Sequence, residues 1–168
     1  RNGRARMVDV GAKRATVRRA VAEGTITMSR AAFALVAANR VAKGDVLGVA
    51  ELAGVAGAKR TPDLIPLAHP IRLDHVAVTA TLEPKLPGVR VRAEARVEAK
   101  TGVEMEALTA CAVALLVVYD MVKAVDRGMV IGGVVDSISP QPPLETRDWR
   151  LGSSLRYLPK TSDGSAQS

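Results

Sequence analysis

Hydrophobic residues occupy every second position along two neighbouring segments of the chain, residues 76–82 and 89–100. In the second segment Val or Ala occupies every odd position, and Arg, Glu or Lys occupies every even position. A period of two gives a strand one buried face and one solvated face, which is typical of antiparallel sheets. The segment EPKLPG between the two strands predicts a hairpin loop.

Helix-capping residues and the spacing of apolar positions predict the remaining elements. These are a strand over residues 16–28, helices over 30–38, 45–60 and 103–126, and a last strand over 129–138. Ser29 and Asp45 are good N-caps for the first two helices, and Asn39 suits the end of the first. The prolines of TPDLIPLAHP, residues 61–70, predict a loop. The order β-α-α-β-β-α-β predicts an α+β fold, a ferredoxin-like antiparallel sheet with helices packed on one face.

The domain organisation follows from length and composition. The 168 residues suffice for one domain with a core and are too few for two comfortable ones. We expect a basic N-terminal arm over residues 1–6, a single α+β domain over 7–139, and a C-terminal tail rich in Pro and Ser over 140–168.

The long helix over residues 103–126 is the most apolar part of the chain. Because it is apolar all round, we expect it to be buried all round. Its charges lie at its two ends, Glu104 and Glu106 at the start and Asp120 and Lys123 at the finish. Acidic residues near a helix N-terminus are stabilising, and Asp120 and Lys123 are spaced to form an ion pair, so a structural explanation is available for all four. On the residues alone that explanation is favoured over a catalytic one for Asp120 and Lys123.

The helix over residues 45–60 contains three glycines, Gly48, Gly54 and Gly57. Each glycine costs a helix roughly 1 kcal/mol relative to alanine. So many glycines in one helix predict either close backbone packing against a neighbour or a helix broken into pieces.

The formal net charge of +7 leaves three classes of function open. They are nucleic-acid binding, binding of a polyanionic small substrate, and a basic surface with no specific partner. An aromatic content of 2% argues against single-strand binding, in which bases stack on aromatic rings. We therefore expect no nucleic-acid partner.

Cysteine usage and apolar segments bear on location and metals. One cysteine, Cys111, excludes an internal disulfide, and without an export signal we expect the reducing cytoplasm. No apolar run reaches the roughly 20 residues that span a bilayer, so we expect no membrane partner. One Cys and two His argue against a structural zinc site, and we expect no metal site.

Several basic residues could hold phosphate, although each also has an ordinary structural explanation. Lys43 precedes a predicted helix start, where anions bind, and Lys59 follows the end of the same helix, where cations are favoured anyway. Arg18 lies on the first strand, and His69 precedes Pro70, which forces an extended backbone. The chain has no phosphate-binding GxxxxGK[ST] loop and no GxGxxG motif, so any phosphate would be held by dispersed Lys and Arg.

Five motifs in a fixed order give a more specific indication. They are MVDV at residues 7–10, KGDV at 43–46, AKRTPDLIPLAHP at 58–70, KTGVEMEALTA at 100–110 and YDMVKAV at 119–125. In this combination the chain resembles the cyclic pyranopterin monophosphate synthases, the molybdenum-cofactor biosynthesis protein C family. The resemblance covers about residues 7–131.

This resemblance implies an enzyme, a phosphorus–oxygen lyase. Its substrate would be the cyclised dihydro-GTP, 3',8-cyclo-7,8-dihydro-GTP, made by a radical enzyme upstream. Its products would be cyclic pyranopterin monophosphate and pyrophosphate. The resemblance further implies a ferredoxin-like α+β fold, a homohexamer built from dimers and no redox cofactor, with Mg²⁺ accompanying the triphosphate as an open question.

The resemblance also implies roles for individual residues. The family's catalytic pair falls on Asp120 and Lys123, and its essential lysine on Lys43. The residues expected by motif match to bind substrate are Leu67, Ala68, His69, Glu104, Met105 and Glu106, and His69 is also a catalytic candidate. Lys59 and Arg18 join the expected substrate-binding set as basic residues. Ala68 departs from the Cys that is common there.

The C-terminal segment departs from the family pattern. The family's Lys-x-Gly-Gly-Lys-Ser-Gly segment is replaced here by SPQPPLETRDWR. The altered C-terminus leaves open a catalytically impaired relative that acts as an assembly partner. The basic net charge leaves open a second alternative, a nucleic-acid-binding module.

Distance along the long helix predicts how a site could be completed. Glu106 and Asp120 are separated by about 21 Å at 1.5 Å per residue, which is too far for catalytic contacts at both ends of one nucleotide. We therefore expect active sites that are shared between two chains.

Overall fold

The computed structural model describes residues 3–137, and its eight elements form one sheet with helices against it. The strands are β1 (Thr16–Thr27), β2 (His75–Glu83), β3 (Gly88–Ala99) and β4 (Val130–Asp136). The helices are α1 (Arg30–Ala37), α2 (Val46–Ala58), α3 (Thr61–Leu64) and α4 (Glu104–Val122). The strand order is β2-β3-β1-β4, with every neighbouring pair antiparallel. The expected α+β, ferredoxin-like architecture is confirmed.

The helix-covered face of the sheet is built from small residues at its centre. The odd-numbered residues of β3 from Val89 to Val97 face inward and are buried, and they lie beside Ala20, Ala22 and Gly24 of β1. A Cβ on Gly24 would stand 2.8 Å from Leu115 Cδ1, which is closer than atoms normally approach. The small residues therefore let α4 lie directly on the sheet.

The opposite face of the sheet carries ion pairs between neighbouring strands. Arg19 of β1 bonds Glu94 of β3 at 2.6 Å, and Arg90 of β3 lies 3.4 Å from Glu83 of β2. Glu94 and Arg90 come from the polar half of the alternating pattern in β3. The predicted division into a buried face and a wet face is confirmed.

The free edge of β2 is occupied by a side chain from α2. Glu51 Oε1 accepts a hydrogen bond of 2.9 Å from the backbone N–H of Ala80. Since β2 has a strand neighbour on one side only within residues 3–137, this N–H would otherwise lack a partner among them.

The helix caps are those predicted from the sequence. Ser29 Oγ accepts a hydrogen bond from Ala32 N–H at 3.2 Å, and Asp45 Oδ1 accepts one from Gly48 N–H at 3.0 Å. Asn39 has a φ of 51° immediately after α1, the left-handed conformation that often ends a helix.

Two of the three glycines of α2, Gly54 and Gly57, serve close packing against α4, whereas Gly48 lies beside the N-cap Asp45. A Cβ on Gly54 would lie 2.9 Å from the carbonyl oxygen of Ala110, and one on Gly57 would lie 2.9 Å from the side chain of Val113. The helix is continuous from Val46 to Ala58. Of the two alternatives drawn from these glycines, close packing is therefore confirmed.

Two predictions about helix boundaries were wrong. The segment expected to be all loop contains α3, because Pro62 is tolerated in a first helical turn and Thr61, fully buried, donates a hydrogen bond to Ala58 O. The long helix ends at Val122 instead of residue 126, and Lys123 is its C-cap.

The expectation that α4 is buried all round was also wrong. Leu116 is 58% exposed and Met105 is 39% exposed, so one face of the helix is open. By length and composition α4 could also cross a membrane, contrary to the expectation that no apolar stretch is long enough. Half of this apolar stretch is buried within the fold, as in the core helix of a globular domain.

The predicted terminal segments lie largely outside this description. Residues 3–6 of the basic arm are exposed and carry no helix or strand. The predicted tail over residues 140–168 lies outside the described residues.

Candidate functional site

Two lysines meet on one carboxylate at the C-terminal end of α4. Lys43 Nζ lies 2.6 Å from Asp120 Oδ2, and Lys123 Nζ lies 2.6 Å from Asp120 Oδ1. Lys43 Nζ also donates to the carbonyl oxygen of Asp120 at 3.0 Å. The hydrogen bonds from Lys123 and Lys43 lower the pKa of Asp120 to about 2. The cluster is therefore a fixed anion between two cations at neutral pH, with a net charge of +1.

Local sequence explains why Lys43 reaches this point. Val41 and Val46 are buried on either side of it, and they anchor the loop between α1 and α2. Gly44, with a φ of 94°, turns the backbone between these anchors. Lys43 stays about half exposed and projects to the last turn of α4.

The N-terminal end of α4 holds a second set of predicted residues. Glu106 is only 3% exposed, and burial raises the pKa of its carboxyl group above its ordinary value. Glu104 and Met105 precede it in the first turn. The result is a pair of neighbouring carboxylates in different surroundings, one buried and one half-buried.

Arg18 lies on the helix-covered face of β1, opposite Val97 of β3. Its Nε is buried and lacks a hydrogen-bond partner among residues 3–137. A buried guanidinium nitrogen without a partner is costly, so this atom is suited to a ligand or a bound water.

A pocket of about 380 Å³ lies beside the start of α4. It is lined by Val10, His69, Pro70, Ile71, Arg72, Val97, Glu98, Ala99, Lys100 and Thr101. His69 Nε2 donates to the carbonyl oxygen of Val8 at 2.8 Å, and Lys100 Nζ donates to that of Gly11 at 2.7 Å. Two side chains thus hold the N-terminal segment beside the pocket.

Lys100 and Arg72 in this pocket were not singled out from the sequence. Lys100 is the first residue of the KTGVEMEALTA motif, and that position was the available signal. Of the other predicted binding residues, Leu67 is exposed, Ala68 is half-buried, and both immediately precede His69.

The predicted residues form two groups that lie far apart within one chain. The first group, Lys43, Asp120 and Lys123, is at the C-terminal end of α4. The second group, His69, Glu104, Met105 and Glu106, is at or near its N-terminal end, and Glu104 and Asp120 are about 24 Å apart along the helix. Lys59 is the exposed C-cap of α2 and makes no hydrogen bond or ion pair with either group among the described residues.

An apolar stripe on α4 connects the two groups. Met105, Ala112 and Leu116 lie on one face of the helix, and Lys123 lies on the same face about five turns after Met105. Met105 and Leu116 are exposed, and Ala112 is half-buried. An exposed apolar stripe bounded by polar groups is typical of a surface that binds another protein.

Comparison with known proteins gives the affiliation of the chain. The profile of the MoaC family matches residues 7–136. The chain is 58% identical over 133 residues to the "Cyclic pyranopterin monophosphate synthase" of Cereibacter sphaeroides (strain KD131 / KCTC 12085), covering 79% of this chain and 84% of the relative. It is 57% identical over 132 residues to the protein of the same name from Brucella ovis (strain ATCC 25840 / 63/290 / NCTC 10512), covering 79% and 80%.

The matched region contains the whole sheet, α4 and both groups of predicted site residues. The chain belongs to the MoaC family.

Proposed function

We propose that this chain is a cyclic pyranopterin monophosphate synthase of molybdenum cofactor biosynthesis. It converts 3',8-cyclo-7,8-dihydro-GTP to cyclic pyranopterin monophosphate and releases pyrophosphate. The observation that carries the proposal is the match to the MoaC family over residues 7–136, with relatives of that name at 57% and 58% identity.

The lysine–aspartate cluster suits the phosphoryl-transfer part of this reaction. A ribose hydroxyl forms a new bond to the α-phosphorus, the bond to the β-phosphate oxygen breaks, and negative charge develops on the departing pyrophosphate. Lys43 and Lys123 supply fixed positive charge for that leaving group. Asp120 has a pKa of about 2, so at neutral pH it stays ionised and holds both ammonium groups in place.

Glu106 suits the proton transfers of the ring rearrangement. Its raised pKa brings the carboxyl group closer to neutral pH, where a general acid or base is most effective. Its ionised form can also accept hydrogen bonds from guanine-type N–H groups. His69 and Arg18 would bind other parts of the substrate, and the unpartnered Nε of Arg18 supports such a role.

Each active site is formed by two chains. The two groups of site residues lie at opposite ends of the α4 stripe, and an antiparallel α4 from a second copy would bring its Asp120 beside this chain's Met105 and Glu106. A two-fold axis through such a contact generates two equivalent sites. The apolar side chains of the stripe support this contact because they would be removed from water.

The proposal also covers the oligomeric state, the cellular location, the cofactors and the partners. Dimers of this kind associate into a hexamer in the cytoplasm, and an upstream radical enzyme supplies the substrate. The rearrangement is redox-neutral, so no redox cofactor is required. Any Mg²⁺ that takes part binds the triphosphate of the substrate. The interaction partners are the substrate and other copies of the chain, with no nucleic acid and no membrane.

The proposal is tested by incubating the purified protein with 3',8-cyclo-7,8-dihydro-GTP and measuring both pyrophosphate and the oxidised pterin product. We expect both products in equal amounts, and none from GTP under the same conditions. An EDTA-treated sample reports the Mg²⁺ requirement. Folded protein that binds the substrate without releasing pyrophosphate would refute the assignment and favour an impaired relative.

A further inference from the structure

Asp126 connects two separate segments beside the lysine–aspartate cluster. Its Oδ2 accepts a hydrogen bond of 2.7 Å from Ser29 N–H, and its Oδ1 accepts one of 2.8 Å from Gly128 N–H. Ser29 is the N-cap of α1, and Asp126 lies three residues after Lys123. One carboxylate thus ties the chain that follows α4 to the start of α1.

Both tied segments lead directly to a lysine of the cluster. On one side, α1 starts at Ser29 and leads through a short turn to Lys43. On the other side, the loop that contains Asp126 follows Lys123, and Tyr119 Oη donates to Arg127 O at 3.3 Å to hold that loop against the last turn of α4. The contact of Asp126 with Ser29 therefore helps to set where α1, and the loop with Lys43 that follows it, lies relative to the end of α4.

The hydrogen bonds of Asp126 exceed what helix capping alone requires. Ser29 already caps α1 with its own hydroxyl group, and Lys123 N–H bonds Tyr119 O at the end of α4. Asp126 adds a contact between two elements that are 97 residues apart in the sequence.

We propose that Asp126 is a positioning residue for the reaction, which holds Lys43 at the Asp120 carboxylate by joining the loop after α4 to Ser29. It does so without touching the substrate. The inference adds to the proposed function and rests on it for the roles of the lysines. A shift of about 1 Å in a catalytic group can reduce a rate by about 100-fold, so a clamp of this kind has a measurable effect.

The test compares Asp126→Ala and Asp126→Asn with a matched control, Glu51→Ala. Glu51 also accepts a backbone N–H, but from the far strand edge, so its loss removes a similar bond outside both groups of site residues. We expect Asp126→Ala to lower kcat by about 10-fold or more while KM changes by less than about 2-fold. Asp126→Asn keeps one acceptor oxygen and should give an intermediate kcat, whereas Glu51→Ala should keep the wild-type kcat.

A second measurement is independent of turnover. The charged groups that face Asp120 are Lys43 from the α1–α2 loop and Lys123 from its own helix. If Asp126→Ala lets Lys43 move away from Asp120 while Lys123 stays paired within the helix, the pKa of Asp120, followed by carbon NMR of its carboxyl group, should rise from about 2 towards its ordinary value. Should the alanine variant not fold, the isosteric asparagine variant allows the same titration.

The two measurements separate failure of this inference from failure of the proposed function. If the wild type has no turnover, the proposed function fails, and the Asp120 titration alone decides whether the clamp exists. An unchanged Asp120 titration in folded Asp126 variants overturns the inference, whether or not kcat falls. A fall in kcat of the same size in Glu51→Ala also overturns it, because the loss would then be general.

Discussion

If each active site combines the two ends of α4 from different chains, two inactive variants should restore activity when mixed. The suitable pair is Glu106→Gln and Asp120→Asn, one at each end of the helix. Within one chain these residues are about 21 Å apart, well beyond the reach of one set of catalytic contacts. Both substitutions keep the shape of the side chain, so we expect folded dimers that are inactive alone.

The expected recovery follows from random pairing in a dimer with two sites. When the variants are unfolded together in equal amounts and refolded, half of the dimers contain one chain of each kind. Each such dimer has one site with both native residues and one site with neither. Activity should therefore reach about one quarter of the wild-type value, and it should follow x(1 − x) as the mole fraction x of one variant changes.

The assay is pyrophosphate release from 3',8-cyclo-7,8-dihydro-GTP, with differently tagged chains to prove subunit exchange. A matched control mixes wild-type chains with chains that carry both substitutions. In mixed dimers of this control every shared site has one altered residue, so equal amounts should give about one quarter of wild-type activity, compared with about one half if each chain has its own site. Proven exchange without recovery in the first mixture, together with one half in the control, would refute the shared site.

The remaining predictions concern single substitutions. Lys123→Ala should lower turnover by about 100-fold or more at unchanged fold, as measured by steady-state pyrophosphate release, and an unchanged rate would make its ion pair purely structural. Glu106→Gln should raise the melting temperature at pH 7. The pKa of Glu106 is higher in the folded than in the unfolded chain, so the wild type loses stability as pH rises from the ordinary glutamate pKa through the raised one. The difference in melting temperature from wild type should therefore vanish below about pH 4. Gly57→Ala should lower the free energy of unfolding by about 1–3 kcal/mol in urea denaturation, because its Cβ would stand 2.9 Å from Val113. A Cβ on Gly132 would have no atom within 4 Å, so the control Gly132→Ala should lower it much less. Equal losses in the two variants would contradict the packing argument.

The buried face of the sheet and the helix caps could be predicted from the sequence, because each depends on residues that are close together in the chain. Alternation along residues 89–100 gives the buried face of β3, and Ser29 and Asp45 cap by bonding to residues three positions later. The short helix α3 was missed because prolines were taken as loop markers, although Pro62 occupies a first turn, where its missing N–H costs nothing.

The candidate site was less accessible to sequence reasoning, because it depends on contacts between distant residues. The contact between His69 and Val8 spans 61 residues, and that between Lys43 and Asp120 spans 77. The spacing of Asp120 and Lys123 predicted their ion pair, but no local pattern showed that Lys43 would share the same carboxylate. The open face of α4 was missed for a related reason: an exposed apolar residue looks the same in sequence as one that faces the core.

The bond between Glu51 and the edge of β2 has a consequence for how copies of this chain can associate. Exposed strand edges recruit other strands, and sheets that extend in this way grow into open-ended aggregates. An incoming strand at β2 would have to displace the Glu51 carboxylate from Ala80 and leave a charge without its hydrogen bond. Sheet extension is thus opposed at this edge, and two copies of the chain would gain less from pairing their β2 strands than from an edge whose N–H groups are free.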